Sequence, residues 1–337
     1  MSISIGKIKT RNRVFLAPMS GVSDEPFRTA AHATGAGLVV SEMVASEELV
    51  RERRDMVRRA KSGANVYPFV MQIAGREAHW MGEGARVAQD LGADVIDINM
   101  GCPARQVTGG LSGSALMRNL DHAITLVTAT VAASNVPVTL KMRLGWDENS
   151  LNAPELARRA EAEGVAMITV HGRTRCQFYT GKADWKAIRA VREQIRVPLV
   201  ANGDCASMED ARSMMKLSGC DAVMIGRAAY GRPWLAGDVA RGLGEETECR
   251  TIDLQDERQI LLQQQDDTLT LYGDGLGNKI FRKHFGWTVT RLHERGLIPA
   301  IETAWLRREI LPSNDNAQVR NTINLMFDKI LLQAEAA

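Results

Sequence analysis

Eight short apolar runs, alternating with amphipathic stretches across residues 14 to 225, constrain this chain more than any other feature. They are Val14–Ala17, Leu38–Ser41, Pro68–Gln72, Val95–Ile98, Val138–Met142, Met167–Val170, Pro198–Ala201 and Ala222–Ile225. Between them lie helical patterns such as Ala78–Leu91, Pro154–Glu163 and Met208–Leu217. Strands that are apolar on both faces and interleaved with helices predict a parallel sheet covered by helices. Eight such units in about 240 residues predict a (β/α)8 TIM barrel. The competing fold is an open doubly wound sheet, which usually carries a GxGxxG turn after its first strand. Here that strand ends in Ala17-Pro-Met-Ser-Gly21, so the α/β barrel is favoured. Ile3–Ile8 reads as a small hairpin closing the barrel bottom. Beyond residue 250 only helical periodicity remains, in Leu254–Tyr272 and Ala317–Leu332. The expected organisation is a barrel over residues 1–242, a linker Arg241–Arg250, and a smaller C-terminal all-helical domain over 251–337.

Composition narrows the function classes. The chain has 45% hydrophobic and 24% charged residues, as ordinary globular proteins do. No apolar stretch reaches membrane-spanning length, and the N-terminus lacks the apolar core of a signal peptide. A cytoplasmic protein is therefore expected. Five cysteines without a CxxC pair point neither to a disulfide framework nor to a zinc site, and no metal is expected. A net charge of +2 leaves any nucleic-acid argument to local charge placement.

Barrel active sites sit at the C-terminal strand ends. Those ends carry Pro18-Met19-Ser20, Ser41-Glu42-Met43, Gln72, Asn99 with Cys102, Lys141 with Arg143, His171 with Arg173, Asn202-Gly203-Asp204 and Gly226-Arg227. Cys102 ends a buried run and precedes Arg105–Gly113, whose Gly-rich composition predicts a mobile loop. A thiol there suits a catalytic acid, which works protonated and needs no depressed pKa. Asn202-Gly203-Asp204 and Gly226-Arg227 each read alone as tight turns. Together, after strands seven and eight, they predict a phosphate site. Lys141, ending an apolar strand, needs a partner, which the N1–C2=O edge of a flavin would supply. Gln72 suits the same ring or a capped strand end. His171 is a positioning group, a phosphate contact or a satisfied core histidine. The charge run Arg51–Lys61 reads as a solvated helix face. In Lys279–Trp287, Lys279, Arg282, Lys283 and His284 interleave with Phe281, Phe285 and Trp287. That pattern suits a phosphate-backbone surface, and equally a helix with one aromatic core face and one basic face.

Taken in order, these motifs resemble the tRNA-dihydrouridine synthase family. They are Ala17-Pro-Met-Ser-Gly-Val-Ser-Asp24, Ser41-Glu-Met43, Asp97-Ile-Asn-Met-Gly-Cys-Pro103, Leu140–Trp146, Val170-His-Gly-Arg-Thr-Arg175, Ala201-Asn-Gly-Asp204 and Met224–Trp234. Gly113–Met117 and Gly231–Leu235 resemble the bacterial B-type branch. The resemblance implies an FMN enzyme that reduces the C5–C6 bond of a D-loop uridine in tRNA with NADPH. It implies flavin contacts at Pro18, Met19, Ser20, Gln72, Lys141, His171, Asn202, Gly203, Asp204, Gly226 and Arg227, with Cys102 as the acid. Ser20 stands where many relatives have Ala, and Arg105 where relatives often have Lys. Asn99 and Arg143 are candidates for polarising the uracil carbonyls. Arg105, Arg173, Arg175, Lys279, Arg282 and Lys283 are candidates for holding tRNA. A monomer with no obligate protein partner is expected. Two other readings remain: a flavin barrel acting on a small pyrimidine, as in dihydroorotate dehydrogenase, and a non-catalytic tRNA-binding protein. The first leaves the helical domain unexplained, and the second leaves Cys102 and the flavin contacts unexplained.

Overall fold

The structure, a computed structural model, describes residues 2 to 335 apart from Ala64 and Thr247. Met1, Ala64, Thr247, Ala336 and Ala337, which the expected domain and linker ranges include, lie outside the described residues. Eight parallel strands form the centre: β1 (Val14–Leu16), β2 (Leu38–Val39), β3 (Val70–Ala74), β4 (Val95–Met100), β5 (Val138–Arg143), β6 (Met167–His171), β7 (Leu199–Asn202) and β8 (Ala222–Ile225). Each except β2 pairs with its successor, β8 pairs with β1, and β2 is linked to β3 through a single bridge from Val40, just past it, to Val70. The ring is thereby closed. Val44–Ala45 extends the second strand position and also pairs with β3.

The side chains sort as the continuous apolar runs require. One face of each strand packs with Phe27, Met81, Leu126, Leu156, Met214 and other helix residues in an outer core. The other face fills the lumen. Phe15, Leu38, Val70, Val95, Met167, Val200 and Ala222 form an apolar layer there, plugged from below by Ile3 and Ile5 of the N-terminal hairpin. Two residues further along, four of these strands present buried polar groups, Gln72, Asp97, Thr169 and Asn202, while Ala17, Val40 and Met224 keep the other strands apolar. Period-two alternation thus stacks a dry floor beneath a partly polar upper layer.

Helices Leu254–Tyr272, Asp274–Glu294 and Asn316–Glu335 enclose a separate core of Leu261, Phe281, Phe285, Val289, Leu292, Val319, Ile323 and Phe327. The first starts with a capping box at Asp253 and Asp256, which satisfies two orphan amides. The preceding segment is more than a tether. Glu245 and Glu246 pair with Arg13 and Arg11, pinning it to the barrel bottom. At the other end of the barrel, Trp287 stacks on Tyr230 at 4.1 Å, and His284 packs on Phe27. Gly231 has a φ of +70°, and a Cβ there would lie 2.5 Å from the backbone of Trp287, so only glycine lets this helix approach. Among the described residues no helix is long and apolar enough to cross a membrane.

Candidate active site

The strand ends open into a cavity of about 750 Å³. All eleven residues expected to touch a flavin line it: Pro18, Met19, Ser20, Gln72, Lys141, His171, Asn202, Gly203, Asp204, Gly226 and Arg227. Asn99, Cys102 and Arg143 line it as well. Arg59, Tyr179, Tyr230, Arg232 and Arg291 are among the other residues of its wall. Arg59 is hidden in the charge run that reads as a solvated face. Arg291 comes from the helical domain and donates to the carbonyls of Tyr230 and Ala228 at 3.4 Å, so both parts of the chain build this cavity.

Cys102 follows β4 on a turn held from both sides. Asn99 Oδ1 accepts from the amides of Gly101 and Cys102 at 3.1 and 3.0 Å. The Cys102 carbonyl accepts from the amide and hydroxyl of Ser114 at 3.1 and 2.9 Å. Gly113 has a φ of +60°, and a Cβ there would sit 2.8 Å from that carbonyl, so glycine is required at the close approach. The expected mobile loop is a short helix, Arg105–Gly109, followed by a 3-10 turn, Gly113–Arg118. Of its glycines, Gly113 closes the segment onto Cys102 instead of loosening it. Burial pushes the thiol above its ordinary range, against weaker opposing effects of the Ala104 amide, Arg143 and Lys141. The protonated form is the resting form.

Lys141 is half-buried and donates to Asn202 Oδ1 at 3.2 Å, while Asn202 Nδ2 donates to the Met224 carbonyl. Burial pulls the ammonium down to about 8, with Asp97 opposing that fall. His171 is neutral: burial and then Arg143, Lys141, Arg173 and Arg227 hold it well below its usual range. Its buried Nδ1 has no partner among the described residues, so the reading of His171 as a satisfied core histidine loses its support.

Several candidate side chains are committed to the protein. Asn99 Nδ2 donates to Gln72 Oε1 at 2.7 Å, and Gln72 Nε2 donates to Asp97 Oδ2 at 2.6 Å. Arg143 donates to the carbonyls of Gly101, Thr174 and Phe178 at 2.7–2.9 Å and stacks over Tyr179. Arg173 is buried and forks onto Asp204 at 2.9 and 2.7 Å, which turns its guanidinium away from any RNA surface. Arg175 lies over Trp146, 4.6 Å from the ring centroid. Arg227 covers Tyr179 at 4.5 Å and faces Asp204 at 3.8 Å. Arg105 is exposed on the short helix outside the cavity wall. In the helical domain Phe281 and Phe285 are core residues. Lys279 is exposed, Arg282 donates to the Ser313 carbonyl at 3.3 Å, and Lys283 reaches the Gly21 carbonyl at 2.6 Å. Arg282, Lys283, Trp287 and Arg307 line a second, open groove.

Comparison with known proteins identifies the family. Residues 15–329 match the family model described as dihydrouridine synthase. The chain belongs to the dihydrouridine synthase family. A protein named probable tRNA-dihydrouridine synthase from Rhodobacter capsulatus is 50% identical over 332 residues, covering 98% of this chain and 99% of that protein. One of the same name from Rhizobium leguminosarum is 57% identical over 284 residues, 84% and 87% of the two chains. A tRNA-dihydrouridine synthase B from Pseudomonas putida is 42% identical over 287 residues, 85% of each. Among solved structures, morphinone reductase superposes with a TM-score of 0.50 at 14% identity, covering 76% of this chain and 91% of its own. That likeness supports the barrel fold.

Proposed function

We propose that this dihydrouridine synthase family member reduces the C5–C6 bond of uridine in the D-loop of tRNA, with FMN as cofactor and NADPH as reductant. The observation that carries the reading is the Cys102 thiol, on a turn fixed by Asn99 and Ser114, in a cavity lined by Lys141, His171 and two glycine turns. The residues fit a flavin mononucleotide. Lys141 offers a half-buried positive charge to the ring edge that gains electrons. His171 offers an unpartnered ring nitrogen. Gly203 and Gly226 expose main chain beside Arg227, a suitable cradle for a phosphate. When bound and reduced, the flavin supplies the hydride that uracil C6 takes.

The chain's own residues do the rest. Cys102 holds a proton at Sγ and delivers it to C5, which completes the addition of two hydrogens across the double bond. Asn99 and Ser114 fix the turn from which it acts. Arg143 remains cationic although burial lowers it to about 10, and it lines the cavity beside the turn. A cationic group there stabilises negative charge developing on a uracil carbonyl. Tyr179, exposed at the mouth, and the rim arginines Arg59, Arg232 and Arg291 suit an extruded nucleotide and its flanking phosphates. A free pyrimidine acid of the dihydroorotate kind would need neither these nor the basic groove. The test is to map dihydrouridine in tRNA from cells lacking this chain: one or more D-loop positions should revert to uridine and be restored by the intact gene. An unchanged map would overturn the assignment.

The low position of Lys141 makes a separate prediction. A group that loses its proton near 8 attracts the electron-rich ring edge only below that pH. FMN affinity should therefore fall as pH rises between about 7 and about 9.5, and bound flavin should in turn raise the lysine's pKa. Titration of apoprotein by flavin fluorescence checks this. Lys141→Met should bind weakly and lose most of the pH dependence.

A further inference from the structure

We propose that Asp97 is a positioning residue for Cys102, acting through Gln72 and Asn99 as a chain of hydrogen bonds with a fixed direction. The inference rests on Cys102 as proton donor and extends that reading below the cavity surface. The register sets the chain up. Gln72 on β3, Asp97 on β4 and Thr139 on β5 are lateral partners, so their side chains point together into the lumen. Asn99, two residues beyond Asp97, points the same way one layer higher.

The direction of every bond follows from the main chain. The amides of Gly101 and Cys102 can only donate, so Asn99 must offer them its oxygen. Its Nδ2 therefore faces Gln72, which must offer an oxygen in turn. The Gln72 Nε2 then requires an acceptor, and Asp97 Oδ2 lies 2.6 Å away. Asp97 Oδ1 accepts from the Thr139 hydroxyl at 2.6 Å, so both carboxylate oxygens are used. With Oδ2 accepting from Gln72 and Oδ1 from Thr139, the carboxyl group admits a single orientation of the two amides. Without it Gln72 is free to flip, Asn99 Nδ2 loses its 2.7 Å acceptor and keeps only the distant Met43 sulfur at 3.9 Å, and the turn carrying Cys102 loses its orientation. A fully buried acid with no exposed face is otherwise a costly residue in a barrel lumen.

The test compares side chains at residue 97 in the holoprotein. Asp97→Leu removes the acceptor. Asp97→Asn keeps one, because its oxygen can face Gln72 while its amide donates to the Thr139 hydroxyl. With saturating FMN near neutral pH, reoxidation of pre-reduced flavin by tRNA should slow by about 10–100-fold in Asp97→Leu. Reduction by NADPH should change to the same extent in Asp97→Leu and Asp97→Asn, which both remove the charge that supports the Lys141 ammonium, whereas transfer to tRNA in Asp97→Asn should remain within about threefold of normal. A second readout needs no turnover. The pH profile of Cys102 alkylation, followed by peptide mass spectrometry, should shift in Asp97→Leu while the exposed Cys176 reacts as before. If Asp97→Leu does not fold, an exchange decides. Asn99→Asp alone leaves Gln72 facing two acceptors. Combined with Asp97→Asn, the chain runs in reverse with every group satisfied, and the Cys102 profile should recover. Normal transfer and alkylation in Asp97→Leu, equal losses of transfer in the Leu and Asn variants, or an exchange no better than Asn99→Asp would each overturn the proposal. Full activity of Cys102→Ala would instead sink the proton-donor reading, while leaving the alkylation result to judge the relay alone.

Discussion

Cys102→Ala should reduce dihydrouridine formation by about 10²–10⁴-fold, the usual share of one positioned acid. FMN binding and its reduction by NADPH should be unaffected, because the thiol is needed only when uracil C5 takes its proton. Cys102→Ser should retain part of the activity, since a hydroxyl on the same turn can also donate. The raised thiol fixes the sign of the pH dependence. A group whose pKa lies above its ordinary value keeps its proton to higher pH, so transfer to uridine should persist beyond the range where a free thiol ionises and then decline. Single-turnover transfer from reduced flavin to tRNA isolates this step. Equal rates for wild type and Cys102→Ala from about pH 6 to about pH 9 would assign the proton to another group.

Replacing Lys279, Arg282 and Lys283 together by Ala should weaken tRNA binding by about 10–100-fold at moderate salt and make its salt dependence shallower. These residues follow one another along the helix Asp274–Glu294, and Arg282 and Lys283 share the open groove with Trp287 and Arg307. The groove adjoins the barrel mouth, since Lys283 bonds Gly21 and Trp287 stacks on Tyr230 of the cavity wall. Part of the Lys283 effect will come from this contact with the barrel, so the triple change is the informative one. NADPH should still reduce the flavin at the normal rate. Binding curves at two salt concentrations decide the matter. An unchanged affinity and slope would move the footprint to the barrel rim around Arg59, Arg105 and Arg175.

The fold was readable because its strands are buried on both faces. Val95–Ile98, Met167–Val170 and Ala222–Ile225 have no solvent-facing side to interrupt the apolar run, and the structure places strands there within a residue or two. The position of the site followed from the barrel itself, which gathers strand ends on one face. What each side chain does there was less legible. Arg173 and Arg175 are adjacent basic residues of one motif, yet Arg173 is locked onto Asp204 while Arg175 lies on Trp146. Spacing along a strand predicts the face, but a partner on the next strand depends on register. Asp97 illustrates the point: its role depends on Gln72 and Thr139, distant in sequence and lateral neighbours in the sheet. Arg291 reads in sequence as one more basic residue after Lys279–Trp287, and its place in the cavity wall follows from how the helices pack on the barrel, which spacing does not reveal. The glycines between residues 109 and 113 misled for a local reason. Gly113 permits a close approach to Cys102, and composition alone does not separate that from looseness.

The most direct test of the account uses purified holoprotein, NADPH and an unmodified tRNA transcript, followed by nucleoside mass spectrometry. The expected result is a D-loop uridine two hydrogens heavier, formed only when protein, NADPH and intact tRNA are all present, and absent with Cys102→Ala. Unaltered uridine under these conditions, with the flavin reoxidised instead by a free pyrimidine such as orotate, would contradict it.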